Sequence, residues 1–598
     1  MNLSPENRIA GILAPLFALR TDDDLGIGDV EALRQFIDWA AGIGFKLVQL
    51  LPINETGRDN SPYNAISSVA IEPTTLHLAP GSPEDLTQED FEAVLATFDL
   101  NKLRRGNVNY RRVRKLKGAL LESAFAHFKQ RTTNDPTAAQ PFDDFCREQA
   151  SWLDDYALFR ALMEKNRGHE TWDRWREEHR SLGAAHAWLQ AQGPTRREEF
   201  ETRMRFFRYV QWIAHEQWSA TKHYAEERGV ALMGDIPFGV SYYSVDVFAR
   251  PNEFALDWSG GAPPEPYFKD DEFTQKWGQN WGIPLYRWDV MRVKNFDWWR
   301  QRVRGVRNLF HVFRIDHVLG FYRIYAFPWR PTRNKEFLPL DRDEMLQRTG
   351  GKAPHFAPRD DSTAENCEAS KREGEEYLRV VLEEAGATRV VGEDLGTVPK
   401  YVRPSLHSLG IAGFKIPQWE DYNGRVTPGS EYERLSVATY ATHDHKPLRL
   451  LWEEAFEKPA ATREQSRREL EKIAFFAEMG PRDGTIEFGK DFYPRFMRAL
   501  FACNSWLVIV MITDLLARRD RFNTPGMATS TNWTRRMGQT AKQLQINRSV
   551  KRKMRLVRQL LQETGRALAG PPQAGAIDLN PERFRGSGDP LPSNLPNE

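Results

Sequence analysis

The sequence is short of cysteine, of long apolar runs and of net charge, and each shortage removes a class of function. Three cysteines in 598 residues, Cys146, Cys367 and Cys503, stand far apart and form no CxxC pair. That argues against a disulfide framework and against structural zinc, and makes a reducing cytoplasm the expected setting. The longest apolar stretch, Trp506 to Thr513, has the length of a strand and falls well short of the ~20 residues that span a bilayer. The first residues, Met1-Asn2-Leu3-Ser4-Pro5-Glu6-Asn7-Arg8, lack the charged-then-apolar pattern of a signal peptide, so no membrane partner is expected. With 83 basic against 82 acidic residues the net charge is +1, which gives no reason to expect nucleic acid as a partner. The expected ligand is uncharged.

What is present is a globular composition, 40% hydrophobic and 28% charged, able to bury a large core. Aromatic residues make up 12% and include 18 tryptophans. Their flat faces suit sugars, although most tryptophans in a large protein belong to its core. Along the chain a helix repeatedly precedes a buried strand. A helical segment from Asp29 to Ala41 and the Gly42-Ile43-Gly44 corner lead into Lys46-Leu47-Val48-Gln49-Leu50-Leu51-Pro52. Trp299, Val303, Val306 and Phe310 form one helix face that feeds the run around Ile315. Tyr377, Val381, Leu382 and Ala385, closed by Gly386, lead into Val390-Val391. Helices alternating with buried strands predict a parallel sheet with right-handed crossovers.

Several of these runs end in an acid. Val312-Phe313-Arg314-Ile315-Asp316, Val390-Val391-Gly392-Glu393, Leu232-Met233-Gly234-Asp235 and Val437-Ala438 through His443-Asp444 share this grammar. It predicts a (β/α)8 TIM barrel whose acids converge at the C-terminal mouth of the strands. The barrel is expected over residues 10–568, with a helical insertion at 80–200, a long loop or small subdomain at 330–371 and a Pro/Gly/Asn/Ser-rich tail at 569–598. Two carboxyls facing one mouth suit glycosidic bond cleavage, one as acid/base and one as nucleophile. Arg314, two residues before Asp316, shares its strand face, and a neighbouring guanidinium favours the charged form a nucleophile needs. An ordinary strand-end ion pair explains the same spacing. Glu393, beside Gly392 and before Asp394-Leu395-Gly396, is a candidate general acid, or a helix cap. His443-Asp444-His445 invites a metal, but strand alternation would put both imidazoles opposite the carboxylate, and no further His or Cys cluster accompanies them. Hydrogen bonding to sugar hydroxyls is the better reading, and nothing calls for a cofactor or metal.

Taken in order, Gly234-Asp235-Ile236-Pro237, Arg314-Ile315-Asp316-His317, Gly392-Glu393-Asp394-Leu395-Gly396, Thr442-His443-Asp444 and Asn523-Thr524-Pro525-Gly526 with Asn532-Trp533 resemble the amylomaltases, 4-alpha-glucanotransferases of the alpha-amylase clan. Gly26-Ile27-Gly28-Asp29, Ser61-Pro62-Tyr63-Asn64, Pro263 to Phe268 and Gly278-Gln279-Asn280-Trp281-Gly282 extend the match. The resemblance implies Asp316 as the nucleophile of a retaining reaction, Glu393 as acid/base and Asp444 as the third acid. It implies Arg314, His317 and His443 around the scissile bond, and Asp235, Ser61, Tyr63, Tyr267, Phe268, Gln279, Trp281, Asn523 and Pro525 as further substrate contacts. Residues 259–284 would form a lid, and alpha-1,4-glucans and maltooligosaccharides would be the substrates. The chain departs from the family's pattern at Val318-Leu319, at Tyr242-Tyr243, at Ile283 and at His445. A retaining hydrolase on the same scaffold is the alternative, and a silent glucan-binding protein is a third reading that the retention of all three acids disfavours.

Overall fold

The computed structural model describes residues 3–264, 271–422, 424–457, 460–479, 487–525 and 531–567. Eight short strands carry the architecture: β1 Ile9–Leu13, β2 Leu47–Gln49, β3 Ala231–Pro237, β4 Val312–Asp316, β5 Arg389–Gly392, β6 Gly413–Lys415, β7 Ser436–Ala438 and β8 Leu507–Met511. They hydrogen-bond in the order β6-β7-β8-β1-β2-β3-β4-β5, and every pairing is parallel. The two ends meet through one bridge, Val391 to Ala412, with the Gly392 N–H donating to the Ala412 carbonyl at 3.0 Å. The sheet is thus a closed eight-stranded barrel, the TIM-barrel class expected. Its strands are almost wholly buried, as strands covered by helices on one face and packed into a barrel centre on the other must be.

The crossover helices follow local sequence rules. Helix α1, Val30–Ile43, starts at an Asp29 cap whose carboxylate accepts the Glu31 and Ala32 N–H groups, and stops at Gly44 with φ 112°. Helix α2, Pro194–Glu227, precedes β3. Helix α3, Asp297–Leu309, buries Trp299 and Val303 ahead of β4, and α4, Ala364–Ala385, buries Tyr377, Val381 and Ala385 ahead of β5. Strand β1 escaped the sequence reading, which began the sheet at Lys46. Its Ile-Ala-Gly-Ile-Leu run is diluted by two small residues, and Gly11 is one of them because a Cβ there would lie 2.7 Å from Leu47 Cδ2 across the pair.

Three additions sit on this frame. Between β2 and β3 the chain runs through helices at Gln88–Leu95, Leu100–Arg104, Tyr110–Asn134, Gln140–Glu148, Ala150–Lys165 and Leu182–Gln190 before α2. Phe254–Ala262, Gln279–Tyr286, Ile324–Phe327 and His355–Ala357 form an antiparallel sheet beside the mouth. That sheet has its own small core of Trp277, Phe327, Trp329, Phe337 and Met345. After β7 a helical pair, Leu448–Glu457 and Ala460–Phe476, is inserted before β8. Among the described residues no helix is long and apolar enough to cross a membrane.

Candidate active site

The C-terminal ends of neighbouring strands bring the candidate acids together. Asp316 is the last residue of β4, and Glu393 immediately follows β5. At His317 the chain turns through φ 52°, in the left-handed region that a residue with a side chain seldom adopts. That turn sends the His317 N–H to Glu393 Oε2 at 2.8 Å, while the Leu395 N–H reaches Oε1 at 3.2 Å. Gly392 leaves room for the turn, since a Cβ there would lie 3.0 Å from Val318 Cγ1. Glu393 and Asp316 are therefore tied to adjacent backbone positions.

Arg314 is the hub. It is buried, and its Nη2 donates to Asp316 Oδ1 at 2.6 Å while Nη1 donates to Asp235 Oδ2 at 2.6 Å. The β3–β4 register sets Asp235 opposite Arg314, so Asp235 lies two residues inside the end of its strand and not at its tip. Tyr63 Oη donates to the same Asp235 oxygen at 2.6 Å, and its ring stacks on His443 with centroids 5.0 Å apart. Trp533 closes this aromatic group, 5.8 Å from Tyr63 and 5.7 Å from His443.

Asp444 joins from a different kind of element. Strand β7 ends at Ala438, six residues before it, and the intervening chain is a turn in which the His445 N–H bonds the Thr442 carbonyl at 3.1 Å. The strand alternation expected for His443-Asp444-His445 therefore does not hold. His443 Nε2 comes within 3.3 Å of Asp444 Oδ2 instead of pointing away from it. Asn523 Nδ2 donates to Asp444 Oδ1 at 2.6 Å, and Arg521 holds the Asp444 carbonyl at 2.7 Å.

The electrostatics sort these groups. Burial raises the Glu393 carboxyl to about 8; Arg314 opposes the rise and Asp316 adds to it. Burial also raises Asp235 against the pull of Arg314. For Asp444 burial is outweighed by His443 and Asn523, and the carboxyl falls far below the ordinary carboxylate range. Burial lowers His317 to about 4 and His445 to about 4, so both imidazoles are neutral near pH 7. His445 Nδ1 accepts the Thr442 N–H at 3.0 Å. His443 moves upward because Asp444 overcomes its burial.

Exposed aromatic faces frame the acids. Of the eighteen tryptophans only Trp281 and Trp419 are exposed, at 40% and 48%. Trp281 stands edge-on to His317 at 4.8 Å and donates to Gln279 Oε1 at 3.2 Å, and Trp419 lies 4.8 Å from His445. Ser61 accepts the Tyr63 N–H at 3.3 Å and so shapes the Tyr63 loop. Pro525 is half-buried two residues beyond Asn523. Tyr267 and Phe268 lie outside the described residues, as does part of 259–284. Among the described residues no cluster of three or more His, Cys, Asp or Glu has metal-site geometry. Asp316, Arg314, Asp235, Tyr63, His443, Asp444 and Asn523 form one unbroken chain of contacts.

The family model described as 4-alpha-glucanotransferase, glycoside hydrolase family 77, matches residues 14–541. The chain belongs to the 4-alpha-glucanotransferase family. A 4-alpha-glucanotransferase of Chlamydia muridarum is 29% identical over 548 residues, covering 89% of this chain and 92% of its own length. One from Chlamydia caviae is 30% identical over 543 residues, covering 88% and 90%. The solved amylomaltase of Streptococcus agalactiae in complex with acarbose superposes with a TM-score of 0.70 at 21% identity, covering 94% of this chain and all of that one. That likeness shows a shared fold.

Three neighbours of the acids went unassigned in the sequence. Arg521 sits two residues before Asn523, and Trp533 closes the quoted Asn532-Trp533 pair; both lay within or beside recognised motifs. Trp419, in Pro417-Gln418-Trp419-Glu420, carries no local signal beyond its position just past a strand end.

Proposed function

We propose that this glucanotransferase moves alpha-1,4-glucan segments by a retaining double displacement. Asp316 attacks the anomeric carbon of the bound donor as Glu393 delivers its proton to the glycosidic oxygen, and the bond to the leaving glucan breaks. An acceptor hydroxyl then loses its proton to Glu393 and displaces Asp316, so that a new alpha-1,4 bond forms and the carboxylate is released. Asp444, steadied by Asn523 and His443, grips the sugar hydroxyls and favours the positive charge that develops on the ring. Arg314 holds Asp316 in line. Trp281 and Trp419 offer the flat faces on which glucose rings pack, and the substrates are alpha-1,4-glucans and maltooligosaccharides. Free Cys146, Cys367 and Cys503 suit a cytoplasmic setting.

The observation that carries this reading is the division of labour between two acids that share a mouth. One is buried and keeps its proton near neutral pH, and the other is bonded to a guanidinium and partly open, with 30% of its side chain exposed. Incubation with maltotriose tests it: a ladder of longer maltooligosaccharides with release of glucose supports transfer, and shortening alone would mark a hydrolase. Asp316→Asn is expected to abolish turnover while leaving the melting temperature near that of the parent. Full activity in that variant removes Asp316 from the role.

A further inference from the structure

The residues on either side of Trp281 fasten its strand to the segment that follows Ile324–Phe327 and to the loop after β3. Asn280 Nδ2 donates to the Trp329 carbonyl at 3.0 Å. Gly282, at φ 84°, packs against Pro331, where a Cβ would lie 3.1 Å from the Pro331 ring. Ile283 fills the space above Gly239 in the loop after β3, so closely that a Cβ on Gly239 would fall 2.3 Å from it. Two of the three anchors thus reach the short segment Trp329-Arg330-Pro331, and Arg330 is its only charged residue.

Arg330 keeps 36% of its side chain exposed, yet its guanidinium has fixed partners. Its guanidinium lies 4.2 Å above the Tyr242 ring, which stacks on Trp172 at 5.5 Å with the planes 6° apart. Its Nη1 is 3.4 Å from both Asp173 Oδ2 and Tyr243 Oη, and Tyr243 Oη is itself 3.4 Å from Asp173 Oδ2. Three parts of the fold meet here. Trp172 and Asp173 belong to the helical insertion, Tyr242 and Tyr243 to the loop after β3, and Arg330 to the sheet that carries Trp281. Tyr242, Tyr243 and Ile283 are also among the positions where the chain departs from the family's pattern.

We propose that Arg330, layered on Tyr242 and paired with Asp173, is a positioning residue that fixes Trp281 over the mouth and so governs whether the glucosyl-enzyme is taken by a sugar or by water. The inference rests on the transfer reaction proposed above. An acceptor ring competes with water only while a surface holds it in line for attack, and Trp281, edge-on to the residue that follows Asp316, is such a surface. Arg330 has Asp173 and Tyr243 as its polar partners, and not Asp316, Glu393 or Asp444. Its influence runs through Pro331, Gly282 and Trp281.

The test compares the parent with Arg330→Ala, Tyr242→Ser, Tyr242→Phe and Asp173→Asn in the full chain. Maltotriose is the donor, and longer products are counted against new reducing ends. Arg330→Ala and Tyr242→Ser are expected to lower the transfer-to-hydrolysis ratio about two- to fivefold, the factor equivalent to one cation–π contact that stays partly exposed. They are expected to raise the KM for glucose as acceptor while total donor cleavage stays within about twofold. Tyr242→Phe keeps the ring and should match the parent. An unchanged ratio in Arg330→Ala, or a fall in total cleavage with no change in ratio, overturns the proposal. If Arg330→Ala melts too low to assay, an unchanged ratio in both Tyr242→Ser and Asp173→Asn overturns it equally. A parent that builds no ladder overturns the functional reading and this inference with it; a parent that builds one with a ratio indifferent to Arg330 overturns this inference alone.

Discussion

Glu393→Gln separates two consequences of burying an acid beside Asp316. In the folded protein burial lifts this carboxyl from its ordinary 4.5 to about 8, against the opposing pull of Arg314. Between those values the native state holds a proton that the unfolded chain has released, so stability falls as pH rises through the window and levels off above about 8. From pH 6 to 9 only the stretch up to 8 counts, and at ~1.4 kcal/mol per pH unit the added cost is about 2–3 kcal/mol. Glutamine cannot titrate and escapes that cost. The variant is therefore expected to gain on the parent as pH rises. For a chain of this length ~2.1 cal/mol/K per residue makes 1 kcal/mol roughly 1 °C, so the melting difference should widen by about 2–3 °C between pH 6 and 9. Activity should move the other way. In the parent, kcat/KM for maltooligosaccharides should fall along an alkaline limb centred near 8, because the protonated carboxyl is the working form. Glu393→Gln should fail to cleave glucans yet still load glucose from an alpha-glucosyl fluoride, whose departing fluoride needs no proton. A limb centred near pH 5, or a melting difference that ignores pH, would refute both the burial argument and the assignment of the acid.

Three other substitutions probe separate parts of the molecule. Asn523→Ala removes a 2.6 Å bond to Asp444; hydrogen bonds to charged groups contribute ~1.5–3 kcal/mol, so kcat should fall about ten- to a hundredfold, and wild-type turnover would free Asp444 from that dependence. Trp419→Ala deletes one of the two exposed indole faces and should raise KM for maltotriose up to about tenfold with kcat little changed, while an unaltered KM would exclude Trp419 from the sugar path. Arg566→Met strikes the opposite end of the barrel, where the buried guanidinium donates to the carbonyls of Ile9, Phe501, Cys503, Ser505 and Trp506 at 2.6 to 3.2 Å. It should cost about 3–5 kcal/mol in urea unfolding with kcat per folded molecule preserved, and parent-like unfolding would show that those carbonyls find other partners.

Local rules made much of the barrel legible. Trp299, Val303, Val306 and Phe310 mark one face of a helix, and Gly44 and Gly386 mark helix ends, because periodicity and positive-φ glycine caps are written within a few residues of each other. Strand β1 was not legible for the complementary reason. Gly11 is small to admit Leu47 from a neighbouring strand, and that neighbour is chosen by the closed sheet. The acids at Asp316 and Glu393 could be picked out because a strand end is a local feature. Asp444 could be picked out too, but its geometry could not: the strand before it stops at Ala438, and the turn that follows brings His443 onto the carboxylate.

The partners of those acids belong to a different level of information. Tyr63 meets Asp235 across 172 positions of sequence, and Asn523 meets Asp444 across 79. Only the closed barrel makes them neighbours, and no spacing rule within a segment can announce such pairs. Arg314 is the exception that joins the two levels. Strand alternation puts it on the face of Asp316, which can be read from the sequence; register puts it opposite Asp235, which cannot. A guanidinium with fixed planar geometry, bonded at both Nη atoms to carboxylates, cannot follow one without straining against the other. The orientation of Asp316 is therefore set by the pairing of two strands.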